Sequence, residues 1–384
     1  MTLVQVLACW GLAPASVAWI RSGYVIEAPS GDWHLKVFRH APAEFAAVCA
    51  AIDHLRQAGF TQLKPIQPTR SGEDAVIHGG ALYFLTPWLR GSTLDPENVS
   101  QLGTASATLG TLHLAAKGFR PRDLEARHAR RDWGGWPRKF LARLEELRVY
   151  RDMVSEWPEP TRFDKLFLRY VEQAVSAGQR AVESLAASPY PVLVRQAEAE
   201  SQLTHRDYIP SNLLCGPGGE FWVLDFDNCA REARIDDLAK FIARAALGDA
   251  DRARFILEAY HGACPLSAEE LQVIPIYLRF PMQFWRVSRR NYSGNREHVK
   301  ALEAAIEHHT SCLNLAELLE VVPFADLKPI HRPQPTAAPP QAMLPPPEPP
   351  RTAPVRRRMV WRGFPPPLCT VESLGKGVAG RGRP

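Results

Sequence analysis

The alternation of apolar and polar positions near the start of the chain predicts a hairpin of two β-strands. The strand-like runs are Tyr24–Ala28 and His34–Phe38, and the Pro-Ser-Gly-Asp sequence between them is typical of a turn. The next block has apolar residues at helical spacing and stops at Gly59. Those apolar residues are Phe45, Val48, Ile52 and Leu55. Two more strand-like runs flank a Gly-Gly pair at 79–80, so this block is predicted as strand, strand, helix, strand, strand.

Helical spacing dominates the rest of the chain as far as residue 319. Seven helices are predicted, at 98–117, 137–152, 163–186, 236–247, 252–261, 268–291 and 298–319. A short strand-rich stretch interrupts them at 193–226. This order predicts an α+β, bilobal protein. The small, strand-rich lobe would span 1–90, with a linker near 87–91, and the larger, mainly helical lobe would span 91–327.

The last 57 residues differ from the rest in composition. They contain fifteen of the 34 prolines, and ten Lys or Arg residues against two Asp or Glu. Their charge of +8 leaves −3 for residues 1–327, out of a total of +5. A basic, proline-rich segment cannot bury enough apolar surface to order itself, so 328–384 is predicted to be a disordered tail. The arginines at 356–362 could contact an anionic polymer, but a solvated tail is the simpler interpretation, and no nucleic-acid partner is expected.

The cysteine spacing and the lengths of the apolar runs indicate in which cellular compartment the protein is made. Seven cysteines are spread along the chain, and no two form a C-x-x-C pair. This argues against a disulfide framework or a structural zinc site and favours synthesis in a reducing cytoplasm. No run of eighteen uncharged apolar residues occurs, so no membrane span is expected. The opening residues lack a basic n-region and are interpreted as part of the fold rather than as a signal peptide.

Residues 203–230 carry the candidate chemistry. A His-Arg-Asp triplet ends at Asp207, Asn212 follows five residues later, and an apolar hairpin then leads to Asp225 and Asp227. Phosphoryl transfer from ATP requires a carboxylate that orients the acceptor hydroxyl, and oxygen ligands for Mg²⁺. Asp207 can receive or orient the hydroxyl proton. Asn212 and Asp225 lie at the two ends of one hairpin, so both can face a single metal, and Asp227 can add a second carboxylate. The plain alternative is a solvated turn with a capping Asp and Asn.

At these residues the chain resembles the kinase-like phosphotransferases, the group that includes aminoglycoside and choline kinases. Protein kinases place a D-F-G segment one hairpin after the catalytic loop H-R-D-x-x-x-x-N. Within the group, the chain is most similar to the spore coat protein CotS family of spore-forming bacteria. The similarity covers about 24–319 and includes HLKVFR, ALYFLTPWLRG, HRDYIPSNLL and VLDFDNCAREARIDDLAKFIAR.

The resemblance implies roles for residues of the smaller lobe. Lys36 would contact the ATP phosphates, and its carboxylate partner would be Asp53 or Glu44 in the following helix. Backbone groups of Pro87 and Leu89 would face adenine at the hinge between the lobes. A solvent-facing strand lysine, an ordinary solvated helix face and a plain linker would account for the same residues without any function.

Two further residues of the larger lobe are expected to support the site. His205 is interpreted as an anchor of the catalytic loop rather than as a base. By the resemblance, Asp237 would support that loop from the start of a helix, although a carboxylate favoured by the helix dipole explains it equally well. Two features depart from the kinase pattern. Residues 10–23 contain no G-x-G-x-x-G, and the eleven residues between Asp225 and Asp237 leave no room for a long activation loop.

The leading hypothesis is an ATP- and Mg²⁺-dependent phosphotransferase that acts on a hydroxyl group of a small molecule or of a coat component. The resemblance also implies an alternative, in which the chain is a weakly active or inactive kinase-fold component of the spore coat, with other coat proteins as its partners.

The nature of the acceptor is open on the sequence. An aminoglycoside-type, cationic acceptor would need acidic residues, for which the candidates are Glu145, Glu146 and Asp152. A basic cluster could also line an acceptor pocket, although exposure at helix spacing is the preferred interpretation. That cluster consists of Arg286, Arg289 and Arg290.

Overall fold

Five antiparallel strands form the N-terminal part of the computed structural model, which describes residues 2–20, 22–120, 132–294, 298–321 and 326–332. The strands are β1 Ser16–Ile20, β2 Gly23–Ala28, β3 Gly31–Phe38, β4 Val76–His78 and β5 Ala81–Pro87. They lie side by side in the order β1-β2-β3-β5-β4. Two helices accompany the sheet, α1 Leu3–Ala8 and α2 Pro42–Gln57. The apolar residues that predicted α2 are all buried, so its helical spacing reports the face that packs on the core.

In the N-terminal part, the structure adds one helix and one strand to the predicted order, namely α1 and β1. Strand β1 pairs with β2 along its whole length, from Ser16 opposite Glu27 to Ile20 opposite Gly23. Its residues are mostly exposed. Because neither face of this edge strand is buried, its sequence lacks the alternation by which a strand is recognised.

The rest of the described chain is mainly helical. Its helices are α3 Val99–Ala115, α4 Trp136–Ser155, α5 Arg162–Ala187, α6 Tyr190–Ala199, α7 Ile235–Ala245, α8 Ala250–Ala263, α9 Ala268–Arg279, α10 Met282–Tyr292 and α11 Val299–Glu320. Short strands lie among them: β6 Ser92–Thr93, β7 Leu203–Thr204, β8 Leu213–Cys215, β9 Phe221–Val223 and β10 Ala230–Arg231. One continuous apolar core runs from α2 to these helices. The predicted α+β fold, strand-rich first and mainly helical afterwards, is confirmed.

Two predicted boundaries in the helical part are wrong. The stretch 193–226 begins inside α6, where Leu193 and Ala197 are buried four residues apart, as on one face of a helix. The single helix predicted at 268–291 is two helices, α9 and α10. Pro281 separates them, and Phe280 before it is extended, with ψ of 130°, because the proline ring disfavours the helical conformation of the preceding residue.

The first residues of the predicted tail pack against α8. The Ile330 N–H donates to the Glu258 carbonyl oxygen at 3.0 Å, and the Arg332 guanidinium donates to the Ser100 carbonyl oxygen at 3.3 Å. A Cβ on Gly262 would lie 2.2 Å from the Ile330 oxygen, so the close approach depends on glycine. Residues 328–332 are therefore ordered against the body, and 333–384 lie outside the described residues. No helix in the described ranges is both long enough and apolar enough to cross a membrane.

Candidate active site

The β8–β9 hairpin carries two of the predicted metal ligands at its open end. Asn212 ends a short 3₁₀ turn immediately before β8, and Asp225 follows β9 by two residues. The Leu224 N–H donates to the Asn212 carbonyl oxygen at 2.8 Å, which ties the two ends together. Asp225 has a φ of +67°, in the left-handed region that is strained for a residue other than glycine. Strain of this kind is concentrated at functional sites.

Lys36, on β3, reaches both carboxylates that follow β9. Its Nζ lies 2.6 Å from Asp225 Oδ1 and 2.8 Å from Asp227 Oδ2. Burial would lower the pKa of Lys36, but the charges of Asp227 and Asp225 outweigh it and raise that pKa above its ordinary value. Burial would raise the pKa of Asp225, but the charge of Lys36 prevails and lowers it. Burial, reinforced by the charge of Asp225, raises the pKa of Asp227. Lys36 and Asp225 thus form an ionised pair inside the cleft.

Asp207 is held by Asn212. The side-chain amide of Asn212 donates to both the carbonyl oxygen and Oδ2 of Asp207, each at 2.9 Å. Asn212 lines the cleft that contains Lys36, whereas Asp207 lines a second pocket among the helices. The hydrogen-bonded pair of Asn212 and Asp207 therefore lies between the two pockets. A carboxylate that acts between a nucleotide in one pocket and an acceptor in the other would need this position.

Two buried residues fix the backbone of the loop that carries Asp207. The Asp207 N–H donates to Nδ1 of His205 at 3.2 Å, so the ring proton is assigned to Nε2, which donates to the Leu224 carbonyl oxygen at 2.9 Å. Asp237 accepts the N–H groups of His205 and Arg206 at 2.7 and 2.6 Å. Both ring nitrogens of His205 are occupied by backbone groups, which leaves neither of them to act as a base.

The carboxylates predicted in the smaller lobe are not in ion-pair contact with Lys36. Asp53 is exposed on α2, and Glu44, in the first turn of the same helix, lies 3.8 Å from a ring nitrogen of His40. Among the described residues, the carboxylates within ion-pair distance of Lys36 are the two that follow β9. Pairing of Lys36 with Asp53 or Glu44 therefore stays a prediction.

The residues predicted as the hinge lie at the end of β5 and directly after it. Pro87 is the last residue of β5, and the N–H of Trp88 donates to the Asp32 carbonyl oxygen at 2.9 Å. Leu89 follows, partly buried. The contacts of Pro87 and Leu89 with adenine stay a prediction. The neighbouring Thr86 lines the cleft, and its buried hydroxyl has no hydrogen-bond partner among the described residues, so a polar ligand group would satisfy it.

The cleft contains a second lysine, Lys64, which sequence reasoning missed. Burial lowers the pKa of Lys64 to about 8, and the nearby charge of Lys36 adds to the effect. His34 lines the same cleft, and burial together with the two lysines lowers its pKa to about 3. Lys64 stands in an irregular loop between α2 and β4, where no periodic pattern marks it. A pair of half-buried lysines suits a polyphosphate ligand.

The donor atoms at the end of the hairpin fit a magnesium ion. Asn212, Asp225 and Asp227 offer amide and carboxylate oxygens, the hard ligands that Mg²⁺ prefers. No group of three or more His, Cys, Asp or Glu side chains suited to a metal occurs in the described part of the chain. Magnesium commonly uses one or two carboxylates together with substrate phosphates and water, so this set would be completed by a nucleotide.

Comparison with known proteins relates this chain to phosphotransferases. A family model described as the phosphotransferase enzyme family matches residues 12–273. Spore coat protein S of Bacillus subtilis (strain 168) is 23% identical over 276 residues, which are 71% of this chain and 77% of that protein. The resemblance stated from the sequence is confirmed by these matches.

Solved structures with the same fold include two antibiotic phosphotransferases. An aminoglycoside phosphotransferase from Alicyclobacillus acidocaldarius has a TM-score of 0.69 at 20% identity, covering 83% of this chain and 95% of that one. Spectinomycin phosphotransferase, solved with ADP and spectinomycin, has a TM-score of 0.57 at 13% identity, covering 82% and 98%. At these identities the likeness establishes the fold alone.

Proposed function

Because the chain belongs to the phosphotransferase enzyme family, we propose that it is a kinase that transfers the γ-phosphoryl group of ATP, with Mg²⁺, to a hydroxyl group. The observation that carries the proposal is the cluster formed by Lys36, Asp225 and Asp227. This cluster lies in the same cleft as Asn212, which is hydrogen-bonded to Asp207. A cation, metal-ligand oxygens and a carboxylate are the components that phosphoryl transfer requires.

In this proposal the cleft binds the nucleotide. Lys36 and Lys64 attract the phosphates, and Asn212, Asp225 and Asp227 hold Mg²⁺, which when bound neutralises charge on the phosphate oxygens. Lys36 holds the two carboxylates close together, so these ligands are arranged before the nucleotide arrives. Arrangement in advance reduces the free-energy cost of ordering the site during binding.

Asp207 acts on the acceptor side. Its Oδ2 is engaged by the Asn212 amide, and its Oδ1 has no hydrogen-bond partner among the described residues. Oδ1 is therefore the atom that receives or orients the proton of the acceptor hydroxyl. His205 and Asp237 hold the loop backbone, so the carboxylate is positioned without an added cost of ordering the loop.

The test separates nucleotide binding from transfer. Mg·ATP at millimolar concentration should raise the melting temperature of the wild-type protein, since a ligand that binds the native state stabilises it. Asp225→Ala should abolish the Mg²⁺-dependent part of this rise. Asp207→Ala should keep the rise in melting temperature. It should reduce the rate of phosphoryl transfer by roughly 10²- to 10⁴-fold, measured with an acceptor found in a screen of metabolites and coat extract.

A matched control is Asp251→Ala, which removes an exposed carboxylate in the first turn of α8. It should change neither the shift nor the transfer rate. Undiminished Mg·ATP binding by Asp225→Ala would show that the metal assignment is wrong. No shift of the wild-type protein with Mg·ATP would favour the alternative of a structural, inactive kinase fold.

We also propose that the protein associates with the spore coat after synthesis in the cytoplasm, and that its acceptor is a small molecule or a coat component. The support is the similarity to Spore coat protein S of Bacillus subtilis. Detection of the protein in coat extracts of purified spores, with intact forespore cytoplasm as the comparison fraction, tests this location. Recovery from the cytoplasmic fraction alone would contradict it.

A further inference from the structure

The pocket on the Asp207 side is strongly basic. Its walls come from α4, α7, α9, α10 and α11, together with the loop that carries Asp207. Two carboxylates, those of Asp207 and Asp236, line it together with six cationic side chains. The six are Lys139, Arg143, Arg206, Lys240, Arg244 and Arg286.

Three of the six cations are already paired within the protein. Lys139 forms an ion pair with Asp132 and lies 3.7 Å from Glu232. Arg206 lies 3.0 Å from Asp132. The remaining paired residue, Lys240, forms an ion pair with Asp236 one helical turn away on α7. These pairs account for Asp236, one of the two carboxylates of the lining.

The other three cations, Arg143, Arg244 and Arg286, have no ion-pair partner among the described residues. They come from three different helices, α4, α7 and α10. The guanidinium of Arg143 lies over the ring of Trp285, 4.4 Å from its centre, which holds the group in one orientation. Burial lowers the pKa of Arg143 and of Arg244, and the charge of Arg286 adds to the lowering in both. Arg143 and Arg244 are half-buried and Arg286 is exposed, and the charges of Asp236 and Asp207 offset only part of the repulsion among them, so a bound anion would stabilise the cluster.

The acidic residues considered as contacts for a cationic acceptor form hydrogen bonds or ion pairs with other residues of the protein. Glu146 accepts the indole N–H of Trp285 at 2.8 Å, and Glu145 and Asp152 pair with Arg148 and Arg151. None of the three lines the pocket beside Asp207. The surroundings of Asp207 thus lack the negative charge that a polyamine substrate would need.

We propose that this pocket recognises an anionic group, so that the acceptor is a small hydroxyl compound bearing a phosphate or carboxylate, bound by Arg143, Arg244 and Arg286. The proposal rests on the proposed function for the transfer itself, but the recognition of the anion does not require ATP. Guanidinium groups bind phosphate and carboxylate through paired, charge-assisted hydrogen bonds. The unengaged Oδ1 of Asp207, on the wall of the same pocket, would then meet the hydroxyl.

The test measures anion binding to the full chain without nucleotide. Inorganic phosphate, acetate and choline are titrated separately at constant ionic strength by calorimetry. Phosphate or acetate should bind, and which of them binds more tightly distinguishes a phosphate from a carboxylate acceptor. Arg244→Gln and Arg286→Gln should each weaken the binding about ten-fold or more, as expected for a lost charge-assisted contact. The control Arg290→Gln removes an exposed charge of α10 outside the pocket and should leave the binding unchanged.

Lys36→Met locates the bound anion. Binding retained in Lys36→Met and lost in the two pocket variants supports the proposal. Binding lost in Lys36→Met but kept in the pocket variants would place the anion in the nucleotide cleft and overturn it, as would tighter binding of choline than of either anion. Thermal stability of the pocket variants should equal or exceed that of the wild type, because repulsion among the arginines is reduced. Failure of the Mg·ATP shift alone would refute the proposed function and leave the anion site standing.

Discussion

Asp237 offers the sharpest test of how the loop that carries Asp207 is held. The residue is fully buried in the first turn of α7, where its two oxygens accept the N–H groups of His205 and Arg206 at 2.7 and 2.6 Å. His113 Nε2 also lies 3.2 Å from Oδ2. Asp237→Asn keeps the size and one acceptor oxygen, but it turns an amide NH₂ toward a backbone donor. One buried N–H is then left without a partner.

The size of the loss in unfolding free energy distinguishes two roles of Asp237, hydrogen bonding to the loop and interaction with the helix dipole. A hydrogen bond to a charged group is worth about 1.5–3 kcal/mol, so weakening one and losing the other should cost about 3 kcal/mol or more of the free energy of unfolding. A carboxylate that merely complements the helix dipole contributes about 0.3–1 kcal/mol. The structure thus predicts a loss several times larger than the dipole alone can explain.

The assay is urea unfolding followed by tryptophan fluorescence, with Asp251→Asn as the matched control. Asp251 is also a first-turn carboxylate, on α8, but it is exposed. Its replacement should cost less than about 1 kcal/mol, the range of the dipole effect. Equal, small losses in Asp237→Asn and Asp251→Asn would refute the reasoning that Asp237 holds the loop.

Three other predictions concern charge and packing. Burial raises the pKa of Glu232 to about 8, so between about pH 4.5 and 8 the folded state keeps a proton that the unfolded state releases. The free energy of unfolding should therefore fall as the pH rises through this range. Glu232→Gln should remove this pH dependence, as measured by urea unfolding. The pKa of Lys64 is lowered to about 8, so Mg·ATP affinity should fall up to about ten-fold between pH 8 and 9, whereas Lys64→Arg should bind equally at both pH values. Gly262→Ala should clash with the Ile330 oxygen and make amide exchange at Ile330 about ten-fold faster or more, by local opening.

The candidate site was predictable where its geometry is local. Asp207, Asn212 and Asp225 lie within nineteen residues, and a tight hairpin joins the last two, so turn chemistry alone brings their side chains together. Helix α2 was predictable for a similar reason, since one buried face leaves a regular apolar spacing. Strand β1 was not, because an edge strand with both faces exposed carries no such pattern.

Contacts between distant segments could not be derived from spacing. Lys36 and Asp225 are 189 residues apart, and family resemblance, rather than periodicity, put them in one site. Lys64 comes from an irregular loop with no periodic signal, and its burial beside Lys36 became evident only in the fold. Arg286 was expected to be an exposed surface residue, and it is exposed, yet it also lines the pocket next to Asp207.

The helical or strand character of most segments, the hairpin that joins Asn212 to Asp225 and the basic, proline-rich composition of residues 328–384 follow from local pattern and composition, because turns and amphipathic faces are properties of neighbouring residues. The charge of the pocket at Asp207 does not follow in this way. The body of the chain carries a net charge of −3 over residues 1–327, yet the pocket at Asp207 is positive. Helix packing places three arginines, from α4, α7 and α10, on the walls of one pocket, while the acids of α4 lie outside it. An electrostatic environment is a sum over neighbours in space, which the order of residues along the chain does not contain.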